Sequence, residues 1–340
     1  MSNVQFGYCL PIFASPGQAL FRTPNYRALD ARTTMDLGVH AESLGFDSLW
    51  VADHLMLGKD EAILEGWTTL SALGGATSRI RLGLIHQAHY FRPPAIAAKM
   101  GATLDQITGG RFILFYDFGR QLRENRAYGL AYPDDVEERA AETVDGVRLI
   151  RDLWTADGLL TVTYGSYAVT GATCTPGPVQ QPHPPIWFGE PDPGLLTACA
   201  EFGQGWNTTP VSVAEFQRRL GLLRDACSEA GTSYEAVEKS VEIQVLLTPE
   251  PGARETLKDI LSLGESTSDP ELIAYANGDL EQPPAKLADT TLLGTPDEVA
   301  RQLSAYIDAG ADHFLLWFLD APDRRGMDLF AREVLPRFRS

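Results

Sequence analysis

The 340-residue sequence predicts a closed (β/α)8 barrel, the TIM-barrel class of α/β fold, with residues 1–340 forming one domain. Three observations carry that expectation. Short apolar runs alternate with longer segments of helical periodicity from one end of the chain to the other, the pattern of a parallel sheet covered by helices. Eight such strand candidates can be marked, each followed by a helix. The turn after the first strand reads PIFASPG, without the G-x-G-x-x-G that an open doubly wound dinucleotide-binding sheet would place there.

The first strand is FGYCLPI, Phe6 to Ile12, followed by a helix over Tyr26 to Leu44 in which Leu29, Met35, Val39 and Leu44 recur near helical spacing and Gly45 supplies the stop. The second strand is Asp47 to Ala52. A helix around Thr68 to Ala76 leads to the third, Ile80 to Ile85. Pro93 and Pro94 open the next helix, where a missing N–H costs nothing, and Gly109-Gly110 close it before the fourth strand, RFILF from Arg111. After an amphipathic helix over Val136 to Trp154, the segment TVTYGSYAV alternates like a small hairpin outside the main pattern. Pro185 to Gly189 is the fifth strand, with a helix over Leu195 to Phe202. Gly205 to Thr209 is the sixth, with a helix over Val213 to Ala230. The seventh is Val241 to Leu247. Residues 249–288 then form the longest insertion, with scattered helical character, before a helix over Thr295 to Ala309, the eighth strand at His313 to Leu319, and a last amphipathic helix.

Composition narrows the functional classes. A formal charge of -17 and a pI near 4.7 repel polyanions over most of the surface, which argues against nucleic acid or an anionic membrane as partner and for a small-molecule substrate. Cys9, Cys174, Cys199 and Cys227 are widely spaced, with neither a zinc knuckle nor a disulfide framework. The N-terminal residues lack a basic segment followed by an apolar one, and no run approaches the roughly 18 apolar residues of a membrane span, so a cytoplasmic location is expected.

Chemistry in such barrels gathers at the C-terminal ends of the strands. There the sequence places Asp53 and His54 after strand two; His86, Gln87 and His89 after strand three; Asp117 and Arg120 after strand four; Glu190 after strand five; Asn207 and Thr208 after strand six; and Asp320 after strand eight. Histidine exchanges protons near neutral pH, and a neighbouring aspartate more often orients or caps than reacts. His54, His86 and His89 could bring three imidazoles together, but the first strand lacks the paired histidines of barrel zinc hydrolases, and no metal is expected.

Several segments look familiar in order. AESLGFDSLWVADHL (from Ala41), ATSRIRLG (from Ala76), RPPAIAAKMGATLDQITGGR (from Arg92), PPIWFG (from Pro184) and GTPDEVARQLSAYIDAGADHFLL (from Gly294) resemble the bacterial luciferase-like family of flavin and deazaflavin oxidoreductases. The resemblance spans nearly the whole chain. It implies a barrel with a late insertion, a homodimer, and FMN or the deazaflavin coenzyme F420 across the C-terminal mouth. The reaction would be hydride transfer or monooxygenation of a small organic substrate, with a separate flavin reductase as partner if the cofactor is FMN. It also implies a catalytic place for His54, with Asp53 beside it, and the WVADH form leans toward the deazaflavin branch.

Two turns depart from the family pattern. Members commonly carry a glycine-rich turn after strand four, where Phe115-Tyr116-Asp117-Phe118 stand here and only Gly119 is kept. After strand five Gly189 is followed by Glu190-Pro191-Asp192, where a second glycine is expected. Two carboxylates therefore stand where an anion should bind. His86, Asp117, Gly119, Arg120, Gly189 and Glu190 are the cofactor-binding candidates. Three readings stay open: the cofactor phosphate shifts onto Arg120, Arg123 or Arg126, whose forks suit phosphate; the aromatic residues close the site and leave a flavin-free barrel that binds or transforms a small molecule; or the arginines form a solvated face.

Overall fold

Eight parallel strands close on themselves in the computed structural model, which describes residues 4–20, 27–119, 122–250, 252–264 and 269–339. They are β1 (Gln5–Cys9), β2 (Ser48–Val51), β3 (Arg81–Leu84), β4 (Phe112–Asp117), β5 (Ile186–Gly189), β6 (Gly205–Thr208), β7 (Glu238–Leu247) and β8 (His313–Phe318). Each pairs with the next in chain order, and the ring closes where Gln5 of β1 lies opposite His313 of β8. The strands are buried nearly end to end, as a sheet covered on both faces requires. All eight strands read from the sequence are present, with ends displaced by a few residues.

Helix ends follow local chemistry. Asp30, Asp135, Asp192 and Ser212 cap N-termini with their side chains, and Thr295 and Glu298 form a reciprocal capping box. Large side chains plug the barrel, with the rings of Trp50 and Trp187 5.1 Å apart and Phe115 6.1 Å from each. Glycines make room for them. A Cβ on Gly83 would lie 2.4 Å from the Trp50 ring, and one on Gly205 2.3 Å from the Trp187 ring.

Below this plug the interior is polar. His313 Nδ1 meets Glu238 at 2.8 Å, its Nε2 meets Ser48 at 2.8 Å, and Arg81 reaches Glu238 at 2.9 Å. This network explains why β7 begins at Glu238, earlier than hydrophobicity alone suggests: Glu238 and Ser240 face partners, not oil. The far half of β7 (Gln244–Leu247) runs past the end of β6 and pairs on that side with Thr291–Gly294, a strand with no counterpart among the eight sequence candidates, while Gln244 and Val245 stay paired with β8. Helices Ala253–Ser262, Pro270–Asn277 and Ala285–Ala288 of the insertion pack there through Leu257, Ile260, Leu272 and Leu287 onto Leu246 and Leu319. The expected hairpin is Leu160–Tyr164 with Tyr167–Ala172, lying against helix Val136–Thr155.

Candidate active site

At the C-terminal mouth of the barrel is a cavity of about 430 Å³, within the range of small-molecule sites. Phe13, Leu57, Ile85, Phe91 and Trp317 supply apolar wall, and His54, His86, Asp117, Glu190 and Thr209 supply polar groups.

His54 follows β2. Its Nδ1 lies 2.8 Å from Oε1 of Glu124, on helix Leu122–Ala127, while Oε2 of Glu124 accepts the backbone N–H groups of Leu55 at 2.6 Å and Met56 at 3.3 Å. Burial works to raise the Glu124 pKa, but the His54 ring and the two backbone donors outweigh it and hold the group below the usual carboxylate range. An ionised carboxylate only accepts, so Nδ1 carries the hydrogen and donates it. In the neutral ring Nε2 then carries no hydrogen, and it meets no partner among the described residues. The imidazole is 26% exposed and lines the cavity.

His86 lies on the floor, its ring stacked 4.4 Å from that of Phe115. Nδ1 meets Asp117 at 2.9 Å and Nε2 meets Glu242 of β7 at 3.3 Å. Burial alone would push its pKa down, but these two carboxylates reverse the sign and raise it to about 9, so the ring is an imidazolium at neutral pH. Asp117 also accepts the Gly119 N–H, and Trp317 donates to Glu242 at 3.1 Å. Gly119 turns the chain away with φ 70°, which favours glycine.

Asp53 is held by both guanidinium nitrogens of Arg92, at 2.7 and 2.9 Å, and accepts the Ala88 N–H at 3.0 Å. Glu190 has φ 63°, the left-handed backbone that a glycine would adopt without strain. The glycine-type turn therefore persists under a different residue. Its side chain accepts from Arg219 at 2.9 Å and from the Thr209 N–H at 3.0 Å, which anchors the strained position. Gly189 precedes it at the end of β5, where a Cβ would lie 2.9 Å from the Phe115 ring.

The arginines of the strand-four segment are elsewhere. Arg123 and Arg126 are 69% and 68% exposed, facing Glu61 and Asp134, and neither lines the cavity. Arg120 lies outside the described residues. Nor do the aromatic residues fill the mouth: Phe115 lies beneath His86, the Tyr116 hydroxyl contacts His89 at 3.1 Å, and Phe118 packs under Arg139. His89 points away from His54, to Tyr116 and to Tyr167 at 2.5 Å, and burial lowers its pKa to about 3. Among the described residues no group of three or more His, Cys, Asp or Glu side chains is placed to hold a metal. Asp320 caps Gly326 at 2.8 Å, and burial raises its pKa to about 6.

Glu124 is the residue that sequence reasoning missed. It stands within a run of arginines, and its partner lies 70 positions earlier. The signal available was the single acid in RQLREN.

A closed parallel barrel whose C-terminal mouth presents an oriented imidazole over an apolar-walled cavity defines a barrel enzyme acting on small molecules. The profile of the luciferase-like monooxygenase family matches residues 4–313, and the chain belongs to that family of oxidoreductases. A curated relative from Microbacterium testaceum, named F420-dependent glucose-6-phosphate dehydrogenase, is 29% identical over 321 residues, covering 90% of this chain and 93% of the relative. Among solved structures, an F420-dependent secondary alcohol dehydrogenase in complex with an F420-acetone adduct superposes with a TM-score of 0.77 at 24% identity, covering 99% of this chain and 100% of the other. The oxygenating constituent of 3,6-diketocamphane monooxygenase of Pseudomonas putida, in complex with FMN, gives 0.75 at 17% identity, covering 98% and 99%. These two structures share the fold. No helix among the described residues is long and apolar enough to cross a membrane.

Proposed function

We propose that this protein is a coenzyme F420-dependent oxidoreductase that interconverts a small organic alcohol and its carbonyl counterpart. The observation that carries the reading is the His54–Glu124 pair: a buried carboxylate fixes Nδ1–H and leaves Nε2 bare toward the cavity. The choice of F420 over FMN is supported by the names of the curated relatives, of which the Microbacterium testaceum protein is one.

The cavity suits the ring system of either cofactor in size and wall character, with Ile85, His86 and Gly119 placed to border it and Gly189 and Glu190 turning the chain nearby. No lysine or arginine is among the described residues that line it, which leaves Arg120, outside them, as the candidate for the phosphate-bearing tail. When bound, the deazaflavin supplies a two-electron acceptor: the carbinol C–H gives up hydrogen with its electron pair as hydride, the O–H proton leaves to a base, and C–O becomes C=O. His54 Nε2 is that base, and it returns the proton in the reverse direction. Glu124 keeps the ring in the accepting tautomer. Asp53, bound to Arg92, positions the end of β2 and exchanges no proton.

Anaerobic incubation with F420 and a panel of primary and secondary alcohols tests the reading, with loss of the oxidised deazaflavin absorbance as signal. Oxygen consumption with reduced FMN, and no F420 reduction by any alcohol, would overturn it. The same reading takes the chain as one domain that pairs as a homodimer, so light scattering should return twice 37.2 kDa and not the monomer mass. It also places the protein in the cytoplasm, in keeping with four free, buried cysteines; recovery in a secreted or periplasmic fraction would contradict that.

A further inference from the structure

The cavity wall beside His54 is built on a tie between the segments that follow β1 and β2. Phe13 forms a single antiparallel bridge with Ile63. The residues on either side of Phe13 are bonded to the same partner segment: Ile12 O accepts the Leu64 N–H at 3.0 Å, and Ala14 O accepts the Lys59 N–H at 2.7 Å. Gly58 lies against this stretch with φ 76°, and a Cβ there would stand 2.6 Å from Ala14 O and 3.1 Å from the Phe13 ring. The Phe13 residue is only 4% exposed, yet it lines the cavity together with His54 and Leu57. With its backbone held at three successive residues, the ring is a fixed wall, and removing it leaves a hole where a mobile loop would collapse.

The lining divides by strand. His86 and Gly119 follow β3 and β4, on the arc that the functional reading above gives to the cofactor ring. Phe13 and Leu57 follow β1 and β2, and Trp317 stands near the end of β8, so these three form the other arc, which is left to the substrate. His54 lies between the two. An alcohol whose O–H meets Nε2 and whose carbinol C–H faces the cofactor has two further arms, and one of them turns toward β1.

We infer that Phe13 is a specificity-determining residue: its ring stands where one arm of the alcohol must lie, admitting a small group there and excluding a ring. The inference rests on the functional reading above, but it concerns what the mouth admits and can be read without turnover.

The test compares 1-phenylethanol, with one ring and one methyl arm, and diphenylmethanol, whose two rings send one toward Phe13 in either orientation. Their binding to the full-length protein is followed by ligand-observed NMR, with and without F420. The parent should bind 1-phenylethanol at least about tenfold more tightly than diphenylmethanol. Phe13→Ala should tighten diphenylmethanol by about tenfold or more, because the vacated space takes the second ring, and leave 1-phenylethanol within a few fold. Phe13→Leu keeps the wall partly filled and should move the ratio the same way by less; it carries the test if the alanine variant fails to fold. Equal binding of the two alcohols by the parent, a ratio that neither variant moves, or no binding of either alcohol overturns the inference. If F420 fails to bind or to be reduced while the substitutions move the ratio as stated, the assigned chemistry fails and the wall stands. If F420 is reduced and the ratio does not move, the wall fails and the chemistry stands.

Discussion

Replacing Glu124 with glutamine removes one charge and converts one acceptor into a donor, at a site where both acceptors are in use. Oε1 takes the His54 Nδ1–H at 2.8 Å and Oε2 takes the N–H groups of Leu55 and Met56. The amide can satisfy only one side. With its oxygen on Nδ1, its NH2 would abut two backbone donors, each buried unpaired donor costing about 1–3 kcal/mol. With its oxygen on the backbone pair, the NH2 faces Nδ1, which must then accept, and the ring hydrogen moves to Nε2. The second arrangement is the cheaper, and it removes the lone pair that faces the cavity. Loss of a positioned base lowers kcat by about 10²- to 10⁴-fold, so Glu124→Gln should fall in that range with KM within a few fold. Replacing a charge-assisted hydrogen bond should also cost about 1.5–3 kcal/mol of stability, read by urea denaturation. Glu124→Asp keeps the carboxylate and should recover part of kcat. ¹⁵N NMR of the imidazole reads the tautomer directly, with hydrogen on Nδ1 in the parent and on Nε2 in the variant. A kcat within about threefold of the parent, with the tautomer switched, would remove Glu124 from the mechanism.

Two further outcomes follow from the same geometry. His54→Ala should lower kcat by about 10²-fold or more while leaving cofactor affinity within a few fold; unchanged turnover at saturating substrate would exclude it as the base. His86 is held at a pKa of about 9, above its ordinary 6.5, so its contribution to stability is complete below the ordinary value and is lost as the pH rises through 9. Denaturation free energies should therefore fall between these limits by up to ~3 kcal/mol, and His86→Gln should flatten that slope; an unaltered slope in the variant would show that another group titrates there.

The barrel was legible because its signal is local and repeated. Most strands are short apolar runs, and several of the helices carry a side-chain cap at the N-terminus. Exceptions arose where long-range partners replace hydrophobicity. Glu238 and Ser240 belong to β7 because His313 and Asn207 meet them across the barrel, and nothing in their own sequence says so. Thr291–Gly294 is a strand because β7 runs on past the end of its β6 pairing and offers that edge. The site was legible in part. The strand-end rule picked out His54, His86, Asp117 and Glu190, all of which line the cavity, yet the two acids looked like obstacles to an anion. Their counterions lie 31 positions before Asp117 and 29 after Glu190, distances at which pattern carries no information. Glu190 also shows how a missing glycine misleads, since the left-handed turn is retained with a carboxylate anchored by Arg219.

The central claim is that this mouth serves a deazaflavin-linked proton and hydride exchange, and equilibrium titration of the purified protein with F420 and with FMN tests it most directly. F420 should bind with a change in its absorbance and at least about tenfold more tightly than FMN. Tighter binding of FMN, or no spectral change with F420 up to about 100 μM, would contradict the account.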